Sequence, residues 1–181
     1  LAAKLTELRD GFSGAASFTV AAGDNIGATP FFAGLTRDEP TVETLNELGL
    51  DISGVGNHEF DDGVAELLRM QNGGCFDTDG DMIVAGPGDA NTDEAIDDCF
   101  FPAEPFQGAD FQWLAANVID TTTDEPLDLD DGVGPTEDLG GYSLVEVDGG
   151  SGVTEIAFIG MTLDGTDELV AAAGIAGVTF E

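Results

Sequence analysis

Basic residues are nearly absent from this sequence: four lysines and arginines stand against 37 aspartates and glutamates, for a formal net charge of −33. Lys4, Arg9, Arg37 and Arg69 all fall in the first 69 positions, so the 112 residues that follow (181 − 69) carry no base. Such a surface repels phosphate backbones and acidic bilayers. That excludes a nucleic-acid polymer held on a basic patch and docking onto anionic lipid. It favours solubility and a salty or cation-rich medium that screens self-repulsion. No apolar run approaches the ~20 residues that span a bilayer, so membrane insertion within this segment is not expected. There is no initiator methionine and no signal-peptide pattern, and Leu1 opens directly into amphipathic sequence. The expectation is an interior piece of a longer chain. Tryptophan and tyrosine occur once each, but 12 phenylalanines and a hydrophobic content of 42% suffice for a core, which excludes global disorder. A length of 181 residues suits one domain and is too short for two.

Cysteine is scarce as well. Cys75 and Cys99 allow one bridge, and without a CxxC spacing zinc ligation is not expected. In an acidic, lysine-poor chain the pair reads as a disulfide formed in an oxidising compartment, the alternative being two unrelated thiols.

What is present alternates. Leu1, Leu5 and Leu8 recur at helical spacing, predicting an amphipathic helix to about Asp10, ended by Gly11. Ser17–Ala22 suits a buried strand, stopped by Gly23-Asp24-Asn25. Thr29–Leu35 begins a short helix, and Pro40–Leu48 forms a clearer one with Gly49 past its end. Asp51–Val55 is a second strand, closed by Gly56-Asn57-His58-Glu59, and Gly63–Met70 returns to helix. Strand, polar loop and helix, repeated, predict an α/β fold with a mostly parallel sheet, in which functional residues gather at the carboxyl ends of strands. Gly73–Asp110 breaks the rhythm: ten acids and no base lie between Cys75 and Asp110, so residues 73–110 read as an acidic insertion stapled by the cysteines. Phe111–Val118 is strand-like, and residues 120–138, with eight acids and no base, read as an acidic loop. Tyr142–Val147 alternates as a half-buried strand, Ile156–Gly160 reads as a buried one, and Gly149–Gly152 is the hairpin turn between them.

The densest constellation is Gly54–Gly63, which contains the sole histidine, His58, among Asn57, Glu59, Asp61 and Asp62. An amide oxygen and a carboxylate suit hard or borderline divalent ions. An imidazole can donate to phosphoryl oxygens, and a carboxylate behind it fixes its tautomer. Asp24, at the tip of the preceding predicted strand, adds a carboxylate able to bridge paired metals that hold an attacking water and a leaving oxygen. The alternative for each cluster alone is a capped turn; together, about one βα unit apart, they predict metal-assisted phosphoryl hydrolysis. Asp77, Asp79 and Asp81 alternate like a calcium loop but lack its later glutamate, so a solvated acidic loop is favoured over a calcium site there.

Ala22-Gly-Asp-Asn-Ile-Gly27 followed by Gly56-Asn-His-Glu-Phe-Asp-Asp-Gly63 resembles the bacterial 5′-nucleotidase family of calcineurin-like metallophosphoesterases. The Gly-Asn-His-Glu-Phe-Asp string is highly specific to that family. Asp38–Pro40, Leu114–Val118 and Ile156–Leu163 support the likeness. The resemblance implies that residues 1–181 are part of one catalytic domain, an incomplete four-layer α/β/β/α sandwich with mixed, mostly parallel sheets. It also implies two divalent metals (zinc, manganese or iron), a nucleotide substrate and a separate C-terminal nucleoside-binding domain. Carried over by motif, Asp24 bridges the metals, Asn57 ligates one, His58 stabilises the phosphoryl transition state and Asp61 partners it. Glu59 and Asp62 receive no role. The family's Asp-x-His and Gly-His-x-His motifs are not in this sequence, so the segment alone is expected to be inactive. Cyclic-nucleotide phosphodiester and nucleotide-sugar hydrolysis are alternatives on the same centre; a non-catalytic acidic domain binding calcium or a partner is the alternative of another class. The cysteines and the family together imply an extracellular, periplasmic or cell-surface location.

Overall fold

A computed structural model describes residues 1–14, 16–75, 105–129 and 141–181. Asp77, Asp79 and Asp81, read as a solvated acidic loop in preference to a calcium site, the expected disulfide partner Cys99, and most of both acidic stretches lie outside the described residues.

The chain runs α1 (Ala2–Asp10), β1 (Val20–Ala21), α2 (Phe31–Gly34), α3 (Glu39–Leu48), β2 (Ile52–Gly54), a 3₁₀ turn (His58–Phe60) and α4 (Val64–Asn72). It continues through β3 (Gln112–Leu114), β4 (Val118–Asp120), β5 (Glu125–Pro126), β6 (Tyr142–Asp148), β7 (Val153–Ile159), α5 (Thr166–Leu169) and β8 (Val178–Phe180). Strands β1, β2 and β3 form a parallel sheet in that order, with Val20 opposite Ile52 and Ser53 opposite Trp113. Strand β4 lies between β5 and β8 in an antiparallel sheet, and β6–β7 form a hairpin. The fold is therefore mixed α/β, and among the described residues the parallel pairing lies in the sheet that carries both polar clusters.

The α3 boundaries follow the sequence: Pro40 occupies the first turn, where its missing N–H costs nothing. Gly49 closes the helix, its N–H donating to Asn46 O at 2.8 Å while the Leu50 N–H donates to Leu45 O at 3.1 Å. One apolar core joins both sheets to the helices: Val42 of α3, Leu67 and Met70 of α4, Val55, Phe60, Trp113 and Val118 are all fully buried. Burial of each such side chain is worth roughly 1.5–3 kcal/mol before the entropy of ordering it is subtracted.

Several local expectations change. Helix α1 forms, but none of its residues is buried, and Leu1 and Leu8 stay exposed. It is tied down instead by Arg9, whose guanidinium donates to Leu48 O at 2.8 Å and also to Gly49 O and Thr19 Oγ1. The strand expected over Ser17–Ala22 shortens to two residues, because the Thr19 N–H donates to the Asp51 carboxylate at 2.6 Å rather than to the ladder. At the sheet edge, Val20 is exposed rather than buried. Phe111–Val118 is two strands in different sheets, because Ala115–Asn117 turns the chain and Asn117 pins the turn: its side chain accepts from Thr162 N at 2.8 Å and donates to Thr162 O at 3.0 Å. Strand β7, expected to be buried, alternates between exposed and half-buried positions, since a two-stranded hairpin offers only one face to the rest of the molecule. Within the stretch read as an acidic loop, β4 ends at Asp120 and Glu125–Pro126 pairs back onto it, with Leu127 and Leu129 buried beyond. At the return of the acidic insertion, Phe106 is buried in the core.

Candidate active site

Strands β1 and β2 end side by side, so parallel pairing alone brings the loop after Ala21 next to the loop after Gly54. Gly23, in the left-handed region at φ +103°, lies so close to the second loop that a Cβ on it would meet Gly56 N at 2.4 Å. Gly27, at φ +86°, lies against the 3₁₀ turn, where a Cβ would meet His58 O at 2.3 Å and Asp61 Oδ2 at 2.8 Å. Backbone thus packs on backbone between the two motifs.

The structure brings Asp24 and the Asn57–His58 turn together. Asp24 adopts left-handed geometry (φ 55°), which aspartate tolerates better than most residues, and its Oδ1 accepts the His58 backbone N–H at 3.2 Å. Asn57 is the half-buried residue that opens the 3₁₀ turn, and its amide makes no capping hydrogen bond there. His58 Nδ1 lies 2.8 Å from Asp61 Oδ2. The hydrogen bond to Asp61 holds the imidazole pKa above its ordinary value; burial opposes this, and the negative charges of Asp61, Asp24 and Glu59 add to the rise. Asp62 is exposed.

Glu59, given no role by the sequence motif, organises the site. It is buried, and its carboxylate accepts the backbone N–H groups of Asn25 at 2.7 Å (on Oε1), Asp24 at 2.9 Å and Gly56 at 2.7 Å (both on Oε2). Burial raises its pKa, and the three N–H donors of Asn25, Asp24 and Gly56 counter that rise. Asp38 braces the far side of the first loop, accepting from Gly27 N at 2.9 Å and from the Thr29 hydroxyl. Thr162 donates to Val55 O at 2.9 Å, fixing the second loop from behind. The only sequence signals for these three braces were an acid in a glycine-rich string, an acid before a proline, and a threonine after a strand. Apart from Gly56, three positions from Glu59, and Thr29, nine from Asp38, their partners lie at least 11 positions away, as far as 35 for Glu59 and 107 for Thr162, out of reach of any local pattern.

As a metal site the arrangement is partial. Asp24 and Asn57 supply a carboxylate and an amide oxygen, donor chemistry that fits a divalent cation. Among the described residues no group of three or more His, Cys, Asp or Glu side chains converges to hold one. Cys75 is buried at the end of the segment that follows α4, and its predicted partner Cys99 lies outside the described residues.

No family model matches the chain. It is 32% identical to Endonuclease YhcR of Bacillus subtilis over 164 residues, covering 91% of this chain and 10% of that protein. It is 29% identical to Cell wall protein Lmo0130 of Listeria monocytogenes over 161 residues, covering 89% of this chain and 17% of that protein. The solved structures it superposes on include 5′-nucleotidases and a calcineurin-like phosphoesterase. The NAD nucleotidase of Haemophilus influenzae matches 99% of this chain with a TM-score of 0.58 and 21% identity, and the match covers 25% of that chain. The chain thus has the fold of the calcineurin-like phosphoesterases and 5′-nucleotidases that its motifs resemble, and it spans about a tenth of the first of these relatives and a quarter of that nucleotidase. Among the described residues, no helix is long and apolar enough to cross a membrane.

Proposed function

We propose that this chain supplies part of the active site of a metal-dependent phosphoester hydrolase acting on nucleotides, in the manner of a 5′-nucleotidase. The observation that carries the reading is the contact between the Asp24 carboxylate and the His58 backbone N–H, 3.2 Å apart although the residues are separated by 34 positions. It sets a candidate metal ligand beside a candidate phosphate-binding imidazole. Asp24 and Asn57 would hold divalent cations (zinc, manganese or iron) together with ligands from elsewhere in the protein. Such cations, when bound, neutralise phosphoryl charge and generate a nucleophilic hydroxide.

The chain's own residues do the remaining work. An ionised Asp61 can only accept, so His58 Nδ1 carries the proton of that pair. With its pKa raised, the imidazole keeps its second proton to higher pH, leaving Nε2–H free to donate to a phosphoryl oxygen as negative charge develops. The electrostatics demand the cations: a surface of net charge −33 repels a nucleotide, and bound divalent ions are the local charges able to invert that field. A nucleoside-binding domain beyond this segment would select the base, and a Cys75–Cys99 disulfide and an extracellular or cell-surface location accompany the reading. The likeness to a protein named an endonuclease favours a second reading, a phosphodiester substrate on the same residues.

Two variants of the full-length protein that carries this segment test the proposal. Asp24→Ala should lose bound metal and nucleotide hydrolysis together, whereas His58→Asn should cut turnover about 10²–10⁴-fold with metal content nearly unchanged. Equal metal loss in both variants would contradict the division of roles. Assaying AMP beside a 2′,3′-cyclic nucleotide separates the two substrate readings.

A further inference from the structure

We infer that Glu59 is the positioning residue of this site: its buried carboxylate holds the Asp24 loop and the Asn57–His58 turn at a fixed separation. The inference rests on the reading of Asp24 and Asn57 as metal ligands given above.

Three facts carry it. First, the donors come from both loops: Asp24 and Asn25 N–H from one and Gly56 N–H from the other, at 2.7–2.9 Å on a residue 2% exposed. One carboxylate therefore cross-links two segments that are otherwise joined by close packing, the 3.2 Å contact of Asp24 with His58 and a 2.7 Å hydrogen bond from Asn25 Nδ2 to Ser53 Oγ. Second, the group it grips is the strained one. Asp24 is left-handed at φ 55°, and its own N–H points at Glu59 Oε2, so the clamp holds the backbone conformation that aims the Asp24 side chain. Third, Glu59 stands between Asn57–His58 and Asp61 on the same turn, so any shift of its carboxylate moves both ends of the site at once.

The chemistry requires a carboxylate. All three partners are donors, and an acid's two oxygens accept without conflict. A glutamine of identical shape must present its NH₂ to at least one of those N–H groups, leaving a buried donor facing a donor. An aspartate keeps the charge but ends one methylene short. Outer partners of this kind set metal affinity by about 10–100-fold without touching the ion.

The test uses the full-length protein that carries this segment and Mn²⁺ alone, titrated by calorimetry, with amide hydrogen exchange as a second readout. Glu59→Gln is expected to weaken Mn²⁺ binding by at least about tenfold and to deprotect the Asp24, Asn25 and Gly56 amides. Core amides in α4 and β3 should keep their protection, a split that a merely structural role would not give. Glu59→Asp, the gentler change, should lose less affinity, and it carries the test if the glutamine variant does not fold. A folded variant with unchanged Mn²⁺ affinity overturns the inference, as does loss of affinity accompanied by general loss of protection in the core. Asp24→Ala is the control. If it loses Mn²⁺ while the folded Glu59 variants do not, the positioning role alone fails; if it binds Mn²⁺ like the parent, the functional reading fails and takes the inference with it.

Discussion

The imidazole Nδ1 of His58 and Oδ2 of Asp61 lie 2.8 Å apart across one 3₁₀ turn, and each side chain is 38% exposed. Because the hydrogen bond to Asp61 raises the imidazole pKa in the folded protein, its stabilisation is fully present below the ordinary value near 6.5 and is lost as pH rises through the folded value. His58 is the sequence's single histidine, so its proton NMR signal is unambiguous. In buffer with a chelator, the titration midpoint should lie above 6.5, and Asp61→Asn should lower it. An unchanged midpoint in that variant would mean that Asp61 does not set the imidazole's protonation.

Arg69 is wholly buried, with Nη1 2.6 Å from Glu39 Oε1 and Nη2 2.7 Å from Glu66 Oε1. It also donates to Gly74 O at 2.9 Å and lies over the Phe106 ring, so a single cation joins α3, α4 and both ends of the acidic insertion. Burial disfavours its charge, but the two glutamates outweigh that and its pKa is raised. Removing one partner leaves a buried charge short of compensation, which costs about 3–5 kcal/mol where no second partner remains. With Glu66 still in place, Glu39→Ala should cost less than that, about 2–3 kcal/mol. Urea unfolding should then show a lower midpoint with an unchanged slope; a shift worth under about 0.5 kcal/mol, the scale of an ordinary surface change, would contradict the pairing.

The sequence was most readable where structure is local. Pro40 and Gly49 bracket α3 as the helix rules require, and the glycine-rich ends of β1 and β2 announced two loops at one sheet edge. The convergence of Asp24 with His58 follows from parallel pairing, which alternating strands and helices already implied. Asp38 and Glu59 were illegible as braces, since a buried acid that collects backbone N–H groups leaves no periodic trace. The break at Ala115–Asn117 was hidden for a related reason: Phe111–Val118 reads as one apolar run, and distant partners divide it between sheets, Thr162 and Glu181 on Asn117 and Gly160 on Ala116.

The contact between the two loops at Gly23 leaves no room for a side chain. A Cβ at that position would meet Gly56 N at 2.4 Å and Gly56 Cα at 2.8 Å, both backbone atoms, and the φ of +103° is itself costly for any other residue. Gly23→Ala should therefore destabilise the protein by about 1–3 kcal/mol through strain alone and should separate Asp24 from the His58 turn. Metal affinity and thermal midpoint should fall together. A variant as stable as the parent would show that the loops are not held at this distance.

Salt should stabilise this protein, and the sign follows from a competition between attraction and repulsion. Among the described residues an exposed Lys/Arg–carboxylate pair is Lys4 Nζ–Glu7 Oε1 at 2.6 Å, with side chains 61% and 69% exposed. Such a pair contributes at most about 1 kcal/mol, so screening it forfeits little. The Arg69 pairs are buried and screened far less. Against them stands the mutual repulsion of a chain with net charge −33, which acts over long range and favours the expanded state. Raising NaCl from about 0.01 M to about 0.15 M shortens the screening length from roughly 30 Å to roughly 8 Å, which removes most of that long-range repulsion. The thermal midpoint should climb steeply over this interval and flatten beyond it. A midpoint that fell with added NaCl would mean that attractive ion pairs, and not the excess of acids, dominate the electrostatics of folding.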